Sequence, residues 1–288
     1  MNSATIFIGI VFFVLLLLCL ALLSPALYLW LKTRGKSKGE LYDLLYSLDW
    51  GETTTNNFGY APADGDGDER YQLQMYREIH RLYHHCAQTN GPERLLEVSC
   101  GRGGGLAQLV TLWDPTPFSV GLDFSVNALE FCRRRYLKTG DPWFVAGSAV
   151  ELPFEDASFD VIVNVEASHV YSDVPDFLRE VYRVLRPHGA FLYADYRRPH
   201  HAEDLEQLLR ETGFDGSFRD ITDNVIQSCE LDSERRRRLI QSTAPWFIRW
   251  LTGPRLKSYA RLKGSAKLGR FQSREQIYFM TCMTKVSA

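Results

Sequence analysis

The chain has 288 residues, 45% of them apolar and 24% charged, with a formal net charge of -2 at pH 7. That balance belongs to a folded globular protein of one large or two small domains, and it gives no electrostatic reason to expect nucleic acid. The six cysteines are scattered without a C-x-x-C pair, which suits reduced core thiols rather than a disulfide framework or a zinc site.

Taken in chain order, residues 4–31 carry no charge. At ~1.5 Å per residue such a helix is long enough to cross a hydrocarbon core of ~30 Å. Tyr28 and Trp30 stand where interfacial aromatics belong, and Lys32, Arg34, Lys36 and Lys38 follow. The expectation is a single-pass anchor over residues 1–31, with the bulk of the chain on the cytoplasmic side (the endoplasmic reticulum in a eukaryote). The alternative, a cleaved signal peptide, fits less well, because no basic residue precedes the run and the run is too long. Residues 32–54 read as a basic linker and juxtamembrane segment, and residues 55–288 as the folded domain.

Within that domain, residues 71–86 have the spacing of an amphipathic helix, with Leu73, Met75, Tyr76, Ile79 and Leu82 recurring. RLLEVS (94–99) predicts a strand, and residues 106–113 a helix. FSVGLD (118–123) predicts a second strand, then a helix over residues 126–137 with Ser125 as N-cap and Gly140 past its end. WFVAG (143–147) and FDVIVNV (159–165) are the third and fourth strands. A helix follows with Val174, Phe177, Leu178, Val181, Val184 and Leu185 on one face, stopped at Arg186-Pro187. GAFLYADY (189–196) is a fifth strand and residues 203–211 a helix. FRDIT (218–222) and EQIYFMTCMTK (275–285) predict two more strands, around a polar and aromatic helical insertion at residues 224–262. Alternating strands and helices imply an α/β fold, a mostly parallel sheet with helices on both faces.

Such sheets bind ligands at the carboxyl ends of their strands. Those ends carry Glu97, Ser99, Gly101 and Gly103 after the first strand, and Asp123 and Phe124 after the second. Ser148 and Ala149 follow the third, Glu166 and His169 the fourth, and Asp195 the fifth. Glycines let a backbone approach a ligand closely, and an acid after the second strand is placed for ribose hydroxyls. The dinucleotide fingerprint G-x-G-x-x-G fails, because counting from Gly101 its last position is Leu106. A Walker A Gly-Lys-Ser/Thr triplet is absent from this region as well. Glu97 argues against a pyrophosphate and suits the amino group of a methionyl chain, so the expected ligand is S-adenosylmethionine, with no metal.

EVSCGRGGG, GLDFSVNALEFC and the run from AGSAVELPF to FLYAD resemble the seven-stranded S-adenosylmethionine-dependent methyltransferases, type 11 branch. Within them the likeness is to bacterial enzymes that O-methylate lipid-like polyketides, the phenolphthiotriolone dimethylcocerosate methyltransferases among them, and to sugar O-methyltransferases. It spans roughly residues 55–285, including NFGYA (57–61) and ITDNV (221–225). The family pattern is E/D-x-G-x-G-x-G; here Ser99 and Cys100 precede Gly101, and Ser148 stands where relatives carry an adenine-facing acid. The resemblance implies a seven-stranded Rossmann-like sheet whose last strand is antiparallel. It also implies that Tyr60 closes over the cofactor, and that His169 and Asp195 lie beside the transferred methyl as base and orienting acid. The competing readings are a capping histidine for His169, a surface pair with Arg197 or Arg198 for Asp195, and an ordinary aromatic packing under a cap for Tyr60.

Three other features read as bland. DGDGDE (64–69) lacks the glycine and glutamate of a calcium loop and is an acidic surface loop. His80, His84 and His85 read as a solvated helix face, and Arg235 to Arg238 likewise, although near a membrane the arginines could meet anionic lipid. In TAPWFIRWLTGPRLKSYARLK (243–263), Trp246, Phe247, Trp250 and Leu251 alternate with Arg249, Arg255, Lys257 and Arg261. That composition suits a helix on the bilayer or a lid over an apolar acceptor. The expected function is O-methylation of a hydroxyl on a small lipophilic acceptor; N- or C-methylation of a lipid or sterol, and a non-catalytic tethered scaffold, are the alternatives.

Overall fold

A computed structural model describes residues 34–35, 38–48, 50–86, 91–136, 142–243 and 257–286. The expected anchor, Gly140 and the Trp246–Trp250 pair fall outside those residues. Among the described residues no helix is long and apolar enough to cross a membrane.

The fold is a mixed sheet. Its strands are β1 (Arg94–Val98), β2 (Phe118–Asp123), β3 (Trp143–Ala146), β4 (Phe159–Val165), β5 (Leu185–Arg197), β6 (Phe214–Asp215), β7 (Arg219–Asp220) and β8 (Ile277–Lys285). The order is β3-β2-β1-β4-β5-β8-β6, with β7 also paired to β8. Strands β1 to β5 are parallel and β8 runs antiparallel to β5. The helices are α1 (Lys38–Tyr46), α2 (Arg70–Cys86), α3 (Gly104–Val110), α4 (Val126–Tyr136), α5 (Val174–Val184), α6 (Pro199–Thr212), α7 (Thr222–Leu231), α8 (Ser233–Thr243) and α9 (Ala266–Gln272).

Period-two alternation sends neighbouring strand residues into two cores, one on each face. Leu95, Val161, Val163 and Leu192 pack with Met75 and Ile79 of α2, Leu106 of α3 and Val225 of α7. Leu96, Ile162, Phe191 and Tyr193 pack with Phe177 and Val181 of α5 and Leu205 of α6. The start of α5 is fixed by Asp173, whose carboxylate accepts from the amide of Asp176 at 2.8 Å.

Two sequence expectations need correction. FRDIT yields only the two-residue β7, because Asp220 Oδ1 accepts from the amide of Thr222 at 2.8 Å and turns the chain into α7. The two-residue β6 precedes FRDIT and was not expected, so among the described residues the sheet has eight strands rather than seven. The boundary at residue 55 also falls inside packed structure. The carboxylate of Asp43 in α1 accepts from Ser125 Oγ at 2.6 Å and from the Asn127 side chain at 2.9 Å. The segment read as a linker is therefore docked on the amino end of α4.

Candidate active site

The chain leaves β1 for β2 on one side and reaches β4 on the other, so a crevice opens at their carboxyl ends. A cavity of about 560 Å³ occupies it, lined by Ser99, Gly101, Asp123, Phe124, Ser148, Ala149 and Glu166, with Tyr46 of α1 and Tyr171 beyond the fourth strand. Ser99 and Glu166 hold left-handed backbones, φ 61° and 50°. Both residues line the cavity, and strain of this kind collects where a site dictates the backbone. Ser99 occupies a position where the family pattern has glycine, and the left-handed φ is the physical reason for that glycine. Its hydroxyl lies 2.6 Å from the Tyr171 hydroxyl.

Asp123 is buried and receives one backbone amide on each oxygen, Gly101 N on Oδ2 and Ser125 N on Oδ1, both at 2.8 Å. Each oxygen keeps lone-pair capacity toward the cavity. Burial raises its pKa, and the two amides oppose that rise. A Cβ at Gly101 would stand 2.7 Å from the Tyr46 hydroxyl, so the glycine lets α1 close down on the turn.

Glu97, Gly103 and Tyr60 do not line the cavity. Glu97 lies one side chain behind it. Its Oε1 accepts from the Tyr76 hydroxyl at 2.9 Å, while its buried Oε2 has no partner. Burial pushes this carboxyl up to about 8. An orphaned carboxylate oxygen beside a glycine turn fits a site built for a cationic ligand group. Gly103, φ 76°, makes the turn into α3. Tyr60 is buried in the core with α2 and lines neither cavity.

A second cavity of about 360 Å³ adjoins the first, and the two share Tyr42, Tyr46, Thr55, Asn56, Glu166 and Val170. His169 lines the second cavity. The short turn after β4 brings His169 Nδ1 to 2.9 Å from Asp195 Oδ1. Asp195 Oδ2 accepts from Ser168 Oγ at 2.6 Å and from the His169 amide at 3.0 Å, and Arg197 Nη1 stands 3.1 Å away. Asp195 is fully buried. Burial opposes its ionisation, but the Arg197 charge, His169 and the hydrogen bonds outweigh it and hold the carboxyl well below its ordinary range. The pair with Arg197 thus exists, buried and in addition to the histidine rather than in place of it. With Nδ1–H given to the carboxylate, the imidazole keeps Nε2 as a proton acceptor. The arrangement can take a proton from a hydroxyl.

Tyr42, Tyr46, Tyr76, Tyr196 and Lys267, which line one or both cavities, were missed from sequence. The only signal for the first two was their i, i+4 spacing in LYDLLY (41–46). Among the described residues no group of three or more side chains is placed to hold a metal ion.

A methyltransferase-domain family model matches residues 96–193, from β1 through β5. The fatty-acid O-methyltransferase of Mycolicibacterium smegmatis is 35% identical over 220 residues, covering 75% of this chain and 78% of that protein. The phthiotriol/phenolphthiotriol dimycocerosates methyltransferase 1 of Mycobacterium ulcerans is 35% identical over 259 residues, 88% of each chain. The chain belongs to the S-adenosylmethionine-dependent methyltransferases. A geranyl diphosphate methyltransferase solved with S-adenosylmethionine shares the fold, with a TM-score of 0.59 at 16% identity, covering 80% of this chain and 98% of that one. This methyltransferase accordingly uses S-adenosylmethionine as its methyl donor.

Proposed function

We propose that the protein is a membrane-tethered O-methyltransferase acting on a hydroxyl of a small lipophilic acceptor. The observation that carries the reading is the 2.9 Å His169–Asp195 pair in the wall of a cavity that adjoins the glycine-turn cavity. The cofactor supplies an activated methyl group on its sulfonium. Asp123 would receive its ribose hydroxyls, Phe124, Ser148 and Ala149 its adenine, and the Ser99–Gly101 turn its methionyl end.

Transfer is an in-line displacement, so the chain has to align acceptor and donor, and alignment is worth ~7–11 kcal/mol. An alcohol must also lose its proton. His169 takes it at Nε2, Asp195 fixes the imidazole and stabilises its charged form, and Arg197 keeps Asp195 ionised. A carboxylic acid acceptor is already ionised at neutral pH and needs no base, so the pair favours a hydroxyl. The relatives' names, fatty acid and phthiotriol, support a lipid-like acceptor. The tether rests on the uncharged residues 4–31 and the cations that follow, which also favour a cytoplasmic catalytic domain. Bilayer delivery suits an apolar acceptor.

His169→Gln and Asp195→Asn should each lower kcat by ~10²–10⁴-fold, the usual worth of a positioned base, with S-adenosylmethionine affinity unchanged. Retention of kcat in both variants would point to a nitrogen or carbon acceptor instead.

A further inference from the structure

The wall of the second cavity away from the cofactor is cationic. Arg235, Arg236, Arg261 and Lys267 line it and do not line the first cavity. Arg235 and Arg236 share one carboxylate, that of Asp232, at 2.7 and 2.9 Å, so the pair keeps a net positive charge. Arg261 is 1% exposed and sits over the faces of Phe271, Phe58 and Tyr196 at 4.0, 4.5 and 4.6 Å. Its Nη atoms reach the Lys267 carbonyl and Gln276 Oε1, and its Nε has no partner. Glu275, the carboxylate nearest to Lys267 along the chain, pairs with Arg198 and Arg270 instead. Burial, together with the charges of Arg261 and Arg270, lowers the Lys267 pKa.

Aromatic faces and neutral oxygens offset only part of the cost of burying such charge. The one carboxyl in this cavity's described lining is Glu166, which burial pushes up to about 8 against the lowering effect of the Arg261 charge. The positive wall is close to the base: the His169 imidazole and the Arg261 guanidinium pack on the same Tyr196 ring, at 4.4 and 4.6 Å. It is nevertheless a separate place from the wall shared with the cofactor cavity.

We propose that the acceptor is an anionic amphiphile, whose carboxylate is held by Arg261, Lys267 and Arg236 while a separate hydroxyl meets His169. This deepens the O-methyltransferase reading and rests on it for the role of the hydroxyl. Arg261 and Lys267 are then specificity-determining residues. The carboxylate supplies the missing counter-charge and is not itself methylated.

The test uses the full chain in mild detergent, saturated with S-adenosylhomocysteine, and titrates decanoate, decan-1-ol and decylamine by calorimetry. Decanoate should bind about tenfold or more tightly than either neutral or cationic analogue, the worth of one charge-assisted hydrogen bond. Lys267→Gln should erase most of that preference, and Arg261→Met should do the same, with cofactor binding retained. Lys267→Gln decides the matter should the buried Arg261 variant fail to fold. Equal binding of acid and alcohol, or a preference that survives Lys267→Gln, overturns the proposal. A second arm supplies ω-hydroxydecanoate and labelled S-adenosylmethionine. Label in an alkali-stable ether supports the proposal, and label in an alkali-labile ester overturns it by placing the anion at the transferred methyl. Decanoate selectivity without any label would reject the methyl-transfer reading and leave the anion site standing.

Discussion

At the scale of single residues, the site is a set of strand ends whose backbones are bent out of the ordinary. Ser99 makes the point most directly, because its φ of 61° is unfavourable for any side chain and worst for a β-branched one. Ser99→Gly should therefore keep cofactor binding and give equal or higher stability, whereas Ser99→Val should lose binding and ~1–3 kcal/mol of stability, read by calorimetry and denaturant titration. Binding retained by Ser99→Val would refute the conformational argument. The residues legible in the sequence were those near the carboxyl ends of strands: Asp123, Ser148, His169 and Asp195 needed only the strands to be placed on one edge. Tyr60 was not legible, because one turn of backbone separates it from Phe58, which lines the second cavity, and only the packing decides which ring faces inward. Glu97 was half legible. Its position was read correctly, but Tyr76 comes from a distant helix to stand between its carboxyl and the cavity.

Among the elements, α1 has the largest consequence for the site. It brings Tyr42 and Tyr46 to the wall that both cavities share, and its hold on the rest of the fold includes the Asp43 carboxylate at the amino end of α4. An acid there also complements the positive end of the α4 dipole. Asp43→Ala should loosen α1, raising its hydrogen-exchange rate and weakening S-adenosylmethionine binding about tenfold, the worth of one charge-assisted hydrogen bond. Unchanged exchange and affinity would show that α1 is held by packing alone. From the sequence this segment read as a linker because nothing local distinguishes LYDLLY from a juxtamembrane helix; its partner, Ser125, is more than 80 positions away. The parallel core was legible because β1, β2, β4 and β5 each contain a run of mostly apolar buried residues. The broken β6–β7 edge was not, since the turn at Asp220 competes with the strand pattern on equal terms.

At the scale of the whole molecule, two carboxyls among the described residues, Glu97 and Glu166, are pushed by burial up to about 8. Unfolded, such groups titrate near ~4.3. Between those values the folded chain binds more protons than the unfolded one, so stability is highest at the acid end of the window and falls as pH rises toward 8. The ligand-free protein should lose Tm steadily from pH 5 to pH 8, and Glu97→Gln with Glu166→Gln should flatten the curve. A Tm that rises across that range would contradict the assignment. Asp195 works in the opposite sense: its stabilisation is lost only as pH falls below the ordinary carboxylate range, outside this window. The most direct test of the central claim is transfer of labelled methyl from S-adenosylmethionine into a membrane lipid extract by the full chain, with His169→Gln alongside. The account predicts label in an apolar, alkali-stable methyl ether, absent with His169→Gln although that variant still binds the cofactor. Label on nitrogen or carbon, or cofactor binding without any transfer, would contradict it.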